Sequence, residues 1–286
     1  MELSPMAVAA VAVGFVVVLW WASTGLVLYL DGLPRRTFRW SMGGATVLGA
    51  AALAGLAETR DETTIAGAGI AFVCALAVWG WNELAFLTGV ITGPNRRACP
   101  PGVAGWRHFV AATGSILWHE LAIAASALAV FAVTAGGDNR VGLWAFLILW
   151  VMRLSTKLNV FLGVPNLSEE FLPDHLKYIA SFFRRRPMNL LFPVSVTATT
   201  VLFVALIAEA MAAADPFATT AATLLAALTG LALLEHWFLV LPIPAMELWR
   251  WGLKSRSAHA DPPEGETRRA PGVERAPARI GVRPAT

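Results

Sequence analysis

Basic residues in this sequence are confined almost entirely to alternate gaps between long apolar runs, and no other feature constrains the fold as tightly. Seven runs have few charges: about 6–30, 40–57, 65–89, 109–135, 141–164, 190–213 and 217–241. A run of roughly 18 or more apolar residues crosses about 30 Å of hydrocarbon as a helix. Lipid offers backbone amides no partner, so each run must satisfy its hydrogen bonds within itself. Eighteen of the 22 Lys and Arg residues lie after the first, third, fifth and seventh runs or at the edges of those gaps. They are Arg35, Arg36 and Arg39, then Arg96, Arg97 and Arg107, then Lys177 and Arg184–Arg186, then eight from Arg250 onward. The other gaps hold only Arg60 and Arg140. Cytoplasmic loops retain positive charge, which predicts a periplasmic N-terminus and a cytoplasmic C-terminus. The second run is short and rich in glycine (Gly43, Gly44, Gly49, Gly55). Without it the charge asymmetry collapses, so the pattern requires it.

The fold class that follows is all-α: a polytopic membrane bundle of seven transmembrane helices plus one interfacial helix. Charged residues make up 14% of the chain, against about a quarter in soluble domains. The first run is not a cleaved signal peptide, because Glu2 stands where a basic segment is needed. A net charge of +3 fits basic loops beside anionic headgroups and is no signal for nucleic acid. Cys74 falls inside the third run and Cys99 in a cytoplasmic loop, so they cannot pair. The membrane domain spans residues 1–254. A Pro-, Arg- and Glu-rich tail, 255–286, is expected to be disordered. The longest cytoplasmic loop predicts a helix over about 168–184, capped by Ser168 with Glu169 and Glu170 in its first turn. Its apolar residues, Phe171 to Phe183, share one face. That face either lies in the lipid surface or caps the bundle.

Ionisable residues inside apolar runs are costly in lipid and mark sites worth attention. Glu83, His119, Glu120, Arg153, Lys157, Glu235 and His236 come from four different runs at similar depth, with Asn159 beside them. Arg153 and Lys157 are four apart and share a helix face, so the carboxylates are expected to pair with them. Two readings stand: internal salt bridges that fix helix packing, or a polar cavity for a ligand, a proton or a metal. A metal site from His119 and His236 with Glu83 or Glu235 is a weak candidate. Each histidine also follows a small residue by four (Ser115, Ala232), a spacing that leaves room for a magnesium porphyrin. No zinc-protease helix occurs, because Ile123 stands where a second histidine is needed. No nucleophilic triad, phosphate loop or dinucleotide fingerprint is present. Thus no catalytic residue is assigned.

Several of these stretches resemble one family. They are Trp79-Gly80-Trp81-Asn82-Glu83, Phe86-Leu87-Thr88-Gly89, Ile91-Thr92-Gly93-Pro94, His119-Glu120-Leu121, 157–166, Phe171-Leu172-Pro173 with His175-Leu176, and Met188-Asn189 with Phe192-Pro193. Together they are similar to the photosynthetic complex assembly protein 2 family of phototrophic bacteria, over motifs in residues 79–193. The resemblance implies a multi-pass protein of the bacterial inner membrane, encoded near the reaction-centre H subunit gene. It implies a non-enzymatic assembly factor for the reaction centre and light-harvesting complex that modulates bacteriochlorophyll supply. Expected partners are reaction-centre or light-harvesting subunits and other assembly factors. Bacteriochlorophyll or a precursor is the expected ligand, if there is one. The family brings no catalytic residues to carry over. Alternatives from the residues are a transporter of protons or a tetrapyrrole precursor, and an intramembrane enzyme of pigment metabolism using His119 and Glu120 as acid and base.

Overall fold

The structure, a computed structural model, describes residues 5–258. Among these residues the chain is helical, with no strand and one isolated parallel bridge between Val164 and Arg185. Eight α-helices follow in order: α1 Pro5–Asp31, α2 Phe38–Glu58, α3 Ile65–Leu87, α4 Gly105–Thr134, α5 Val141–Leu162, α6 Leu191–Ala212, α7 Pro216–Phe238 and α8 Arg250–Ala258. The first seven are long and apolar enough to cross a membrane, the glycine-rich α2 included.

Helix α3 runs through the centre of the bundle. Its small residues Ala68, Ala71 and Ala75 and the ring of Phe72 are almost completely buried. Val16 of α1, Leu56 of α2, Val130 of α4, Phe146 of α5 and Leu228 of α7 close around them. Association in lipid relies on close backbone approach rather than on expelling water. Gly142 provides such an approach. A Cβ there would sit 2.3 Å from Leu56 and 3.0 Å from the Ala71 carbonyl oxygen. The outer faces keep exposed Val18, Leu128, Val201 and Met211, a surface suited to lipid and unsuited to water. Helix α6 packs chiefly on α7 and forms one flank.

The loops separate by charge. At one end Asn139 donates to the Thr59 and Glu62 carbonyls, which ties the Arg60 and Arg140 gaps together. At the other end the Cys99 amide donates to Ser181 Oγ, and Arg256 bridges Asp31 and the Glu170 and Phe171 carbonyls. The basic gaps therefore share one end of the bundle.

One sequence expectation needs correction. The loop after α5 forms two 3-10 turns, Glu169–Phe171 and Asp174–Phe182, instead of one α-helix over 168–184. Ser168 adopts φ 51° and makes no side-chain cap bond. Leu176, Ile179 and Phe182 are buried, and Leu176 and Ile179 pack with Leu28, Phe86, Leu87 and Trp249. The apolar face thus caps the bundle. The domain boundary at 254 falls inside α8. This helix lies against α1, where a Cβ on Gly25 would strike Trp251 at 2.0 Å and one on Gly252 would strike the Gly25 carbonyl at 2.5 Å. Trp21 Nε1 donates to the Leu248 carbonyl, and Trp249 Nε1 returns a bond to the Trp21 carbonyl. Residues 259–286 of the expected tail lie outside the described residues.

Candidate functional site

Helices α1, α4, α5 and α7 all pack against the central α3. Residues of these five helices line a cavity of about 520 Å³, in the size range of ligand pockets. Its floor holds Glu83, Glu120, Arg153, Lys157 and Glu235. Its walls are mainly apolar and aromatic, and the turns around Phe171 and Ile179 form its roof with Trp249.

The floor is an ordered charge network. Arg153 Nη2 donates to Glu83 Oε2 at 3.3 Å. Lys157 Nζ donates to Glu120 Oε1 at 2.5 Å and sits 5.9 Å above the Phe86 ring. Glu235 Oε1 accepts from Trp20 Nε1 at 3.0 Å, and no cation lies within ion-pair distance of it among the described residues. The shared face of Arg153 and Lys157 thus meets one carboxylate from α3 and one from α4. Pairing of this kind offsets the cost of bringing charge into a dry interior.

The remaining candidate residues lie outside the cavity lining. His119 is fully buried against the Phe86 ring, with centroids 4.4 Å apart, and neither ring nitrogen has a hydrogen-bond partner among the described residues. Its backbone N–H donates to the Thr92 carbonyl at 2.8 Å. His236 uses both nitrogens. Nδ1–H donates to the Ala232 carbonyl, which makes Nε2 the acceptor for the Ser155 hydroxyl at 2.9 Å. Asn159 donates to Ser195 Oγ at 3.1 Å, which in turn meets Ser155 Oγ at 2.9 Å. This chain of bonds ties α5, α6 and α7 together. Both His236 nitrogens are engaged, the His119 nitrogens are sealed within the packing, and neither imidazole lines the chamber. Among the described residues, no three of His, Cys, Asp or Glu gather closely enough for a metal ion.

The Ile91–Asn95 segment is more than a helix exit. Asn95 donates its amide N–H to the Gly114 carbonyl and its Nδ2–H to the Ala111 carbonyl. Gly93 lies flat on α4, where a Cβ would come within 2.2 Å of the Gly114 oxygen. This contact holds the stretch of α4 that carries His119 and Glu120. Asn189 works similarly: it donates to the Asn159 and Gly163 carbonyls and accepts from the first amides of α6. Asn166 caps the end of α7 through the Phe238 and Leu241 carbonyls. Sequence reading missed Trp20, Ser155 and Ser195 as partners of the buried polar groups. Isolated hydroxyls and indoles in apolar helices carry no spacing signal, so only the packing identifies them.

No solved structure matches this chain. A Rhodobacter capsulatus protein described as an uncharacterised 30.4 kDa protein in the puhA 5′ region is 40% identical over 257 residues, which cover 88% of this chain and 93% of that relative. Residues 6–260 match the model of DUF3623, described as a protein of unknown function. The chain therefore belongs to the DUF3623 family.

Proposed function

We propose that the protein is a non-enzymatic assembly factor of the bacterial inner membrane, serving the photosynthetic reaction centre and its light-harvesting complex. The relative's place in the puhA 5′ region supports a role in photosynthesis. The cavity carries the mode of action: an apolar chamber inside a membrane bundle, with its charges largely tied to one another. Such a chamber shelters a lipid-soluble molecule. Paired charges hold its shape and specify one arrangement of the helices. The basic end is the cytoplasmic one by the positive-inside rule. There the Phe171–Phe183 cap and α8 form the surface offered to reaction-centre subunits or other assembly factors.

Bacteriochlorophyll or a precursor fits this reading as cargo, although neither histidine lines the chamber. Deleting the gene in a phototrophic host tests the role. Assembled reaction centre, read from membrane absorption spectra, should fall while pigment synthesis continues. Normal complex levels would overturn the assignment. A second reading, transport of protons or a tetrapyrrole precursor, draws on Glu235, whose carboxylate has no cationic partner at the cavity floor. Flux in proteoliposomes driven by a pH or porphyrin gradient would favour it.

A further inference from the structure

Arg153 has the most unused binding capacity in the cavity floor. A guanidinium carries five N–H donors, and Arg153 commits one, to Glu83. Its Nε and the facing Glu83 Oε1 are buried without partners. Yet 40% of its side-chain surface stays accessible, although it projects from the middle of α5 into the chamber. Arg153 lines the cavity, and its Nη1 carries donors with no hydrogen-bond partner among the described residues. Across the floor Glu235 offers an acceptor, held by Trp20 alone.

The charges around these two groups restrict what can join them. An anionic head would meet Glu83, Glu120 and Glu235. A cationic head would meet Arg153 and Lys157. A neutral group escapes both penalties and can still accept from Arg153 and donate to Glu235. The chamber above is aromatic. Trp20 and Trp249 stand edge to face at 4.9 Å, and Phe171 and Trp249 at 5.9 Å. Such walls suit a flat ring.

We propose that this cavity binds a neutral, lipid-soluble ring bearing a carbonyl or hydroxyl group, of the quinone or quinol class. Arg153 donates to the carbonyl, and Glu235 accepts from the hydroxyl. This goes beyond the assembly reading and does not depend on it. Binding is read on purified protein and assembly in a deletion strain, so either can fail alone.

The test uses the full chain in lipid nanodiscs and a decyl-substituted benzoquinone, with quenching of tryptophan fluorescence as the readout. Decanoate and decylamine serve as competitors with the same chain. Quenching should saturate, and neither competitor should displace the quinone at equal concentration. The double variant Glu83→Gln/Arg153→Gln removes both charges together, which avoids stranding either. It should bind at least tenfold more weakly. Ala232→Phe, which fills the chamber from α7, should abolish saturation, and it decides the matter if the double variant does not fold. Quenching that rises without saturation equally in wild type and Ala232→Phe would reduce the effect to partition into lipid and overturn the proposal. So would equal displacement by decanoate or decylamine, or unchanged affinity in a folded double variant.

Discussion

Removing the guanidinium of Arg256 should loosen the end of the bundle that roofs the cavity. Arg256 Nε and Nη2 each donate to one oxygen of Asp31 at 2.9 Å, and the Asp31 side chain has 0% exposure. The same guanidinium donates to the Glu170 carbonyl at 3.0 Å and the Phe171 carbonyl at 2.9 Å. One side chain thus joins α1, α8 and the first turn of the cap. In Arg256→Ala the Asp31 carboxylate stays buried with no counter-charge. Breaking a buried pair by removing one partner costs about 3–5 kcal/mol. Arg256 itself keeps 19% exposure, so water can reach the two freed carbonyls and the cost falls near about 3 kcal/mol. At about 2–4 °C per kcal/mol for a chain of this size, the midpoint of unfolding should drop by roughly 6–12 °C. Thermal unfolding in mild detergent, followed by tryptophan fluorescence, measures it. Asp31→Asn/Arg256→Gln removes both charges and should recover most of the loss. A drop under about 2 °C for Arg256→Ala would refute this account, as would a double variant no more stable than the single one.

Three further outcomes follow from the same reasoning. Lys157→Met should destabilise the bundle by about 3 kcal/mol, because Glu120 loses its partner, whereas Lys157→Met/Glu120→Leu should restore most of it; equal losses by chemical or thermal unfolding would contradict the pairing. Gly93→Ala forces a methyl onto the α4 backbone and should cost about 1–3 kcal/mol or more, read as a lower unfolding midpoint, while Gly102→Ala, with open space but φ +78°, should cost less. Burial, helped by the charge of Arg35, holds the His175 imidazole below its ordinary value of 6.5. The unfolded chain then takes the proton first, so this contribution to stability is full above about pH 6.5 and declines as pH falls below it; His175→Gln should flatten the unfolding midpoint between pH 7 and pH 5, and an unchanged pH profile would dismiss His175 as its source.

How much was legible in the sequence follows from which forces act along a helix and which act between helices. The seven spans were readable because length and hydropathy are properties of consecutive residues. The pairing of Arg153 and Lys157 with acids was readable because two cations one turn apart must share a face. Which acid meets which base was not, since it depends on how α3 and α4 rotate against α5. Packing sets that rotation at Gly142 and Gly93, where one backbone lies on another. Which of the two surfaces the cap covers was not legible for a related reason. Phe171 to Phe183 have helical apolar spacing, yet that spacing says only that one face is apolar. It cannot tell lipid from Phe86 and Leu28, and the protein surface wins here because Leu176 and Ile179 bury themselves against those side chains, Leu87 and Trp249. The histidines teach the converse lesson. Depth made His119 and His236 weak candidates for ligation, whereas their surroundings differ in a way depth does not show: His236 spends both nitrogens within helix packing, and His119 spends neither among the described residues. The unspent hydrogen-bonding capacity of the cavity floor therefore lies with Arg153, which its ion pair uses only in part, and with Glu235, which has no ion pair among the described residues, and only the geometry of their neighbours distinguishes those two from the rest of the intramembrane charges.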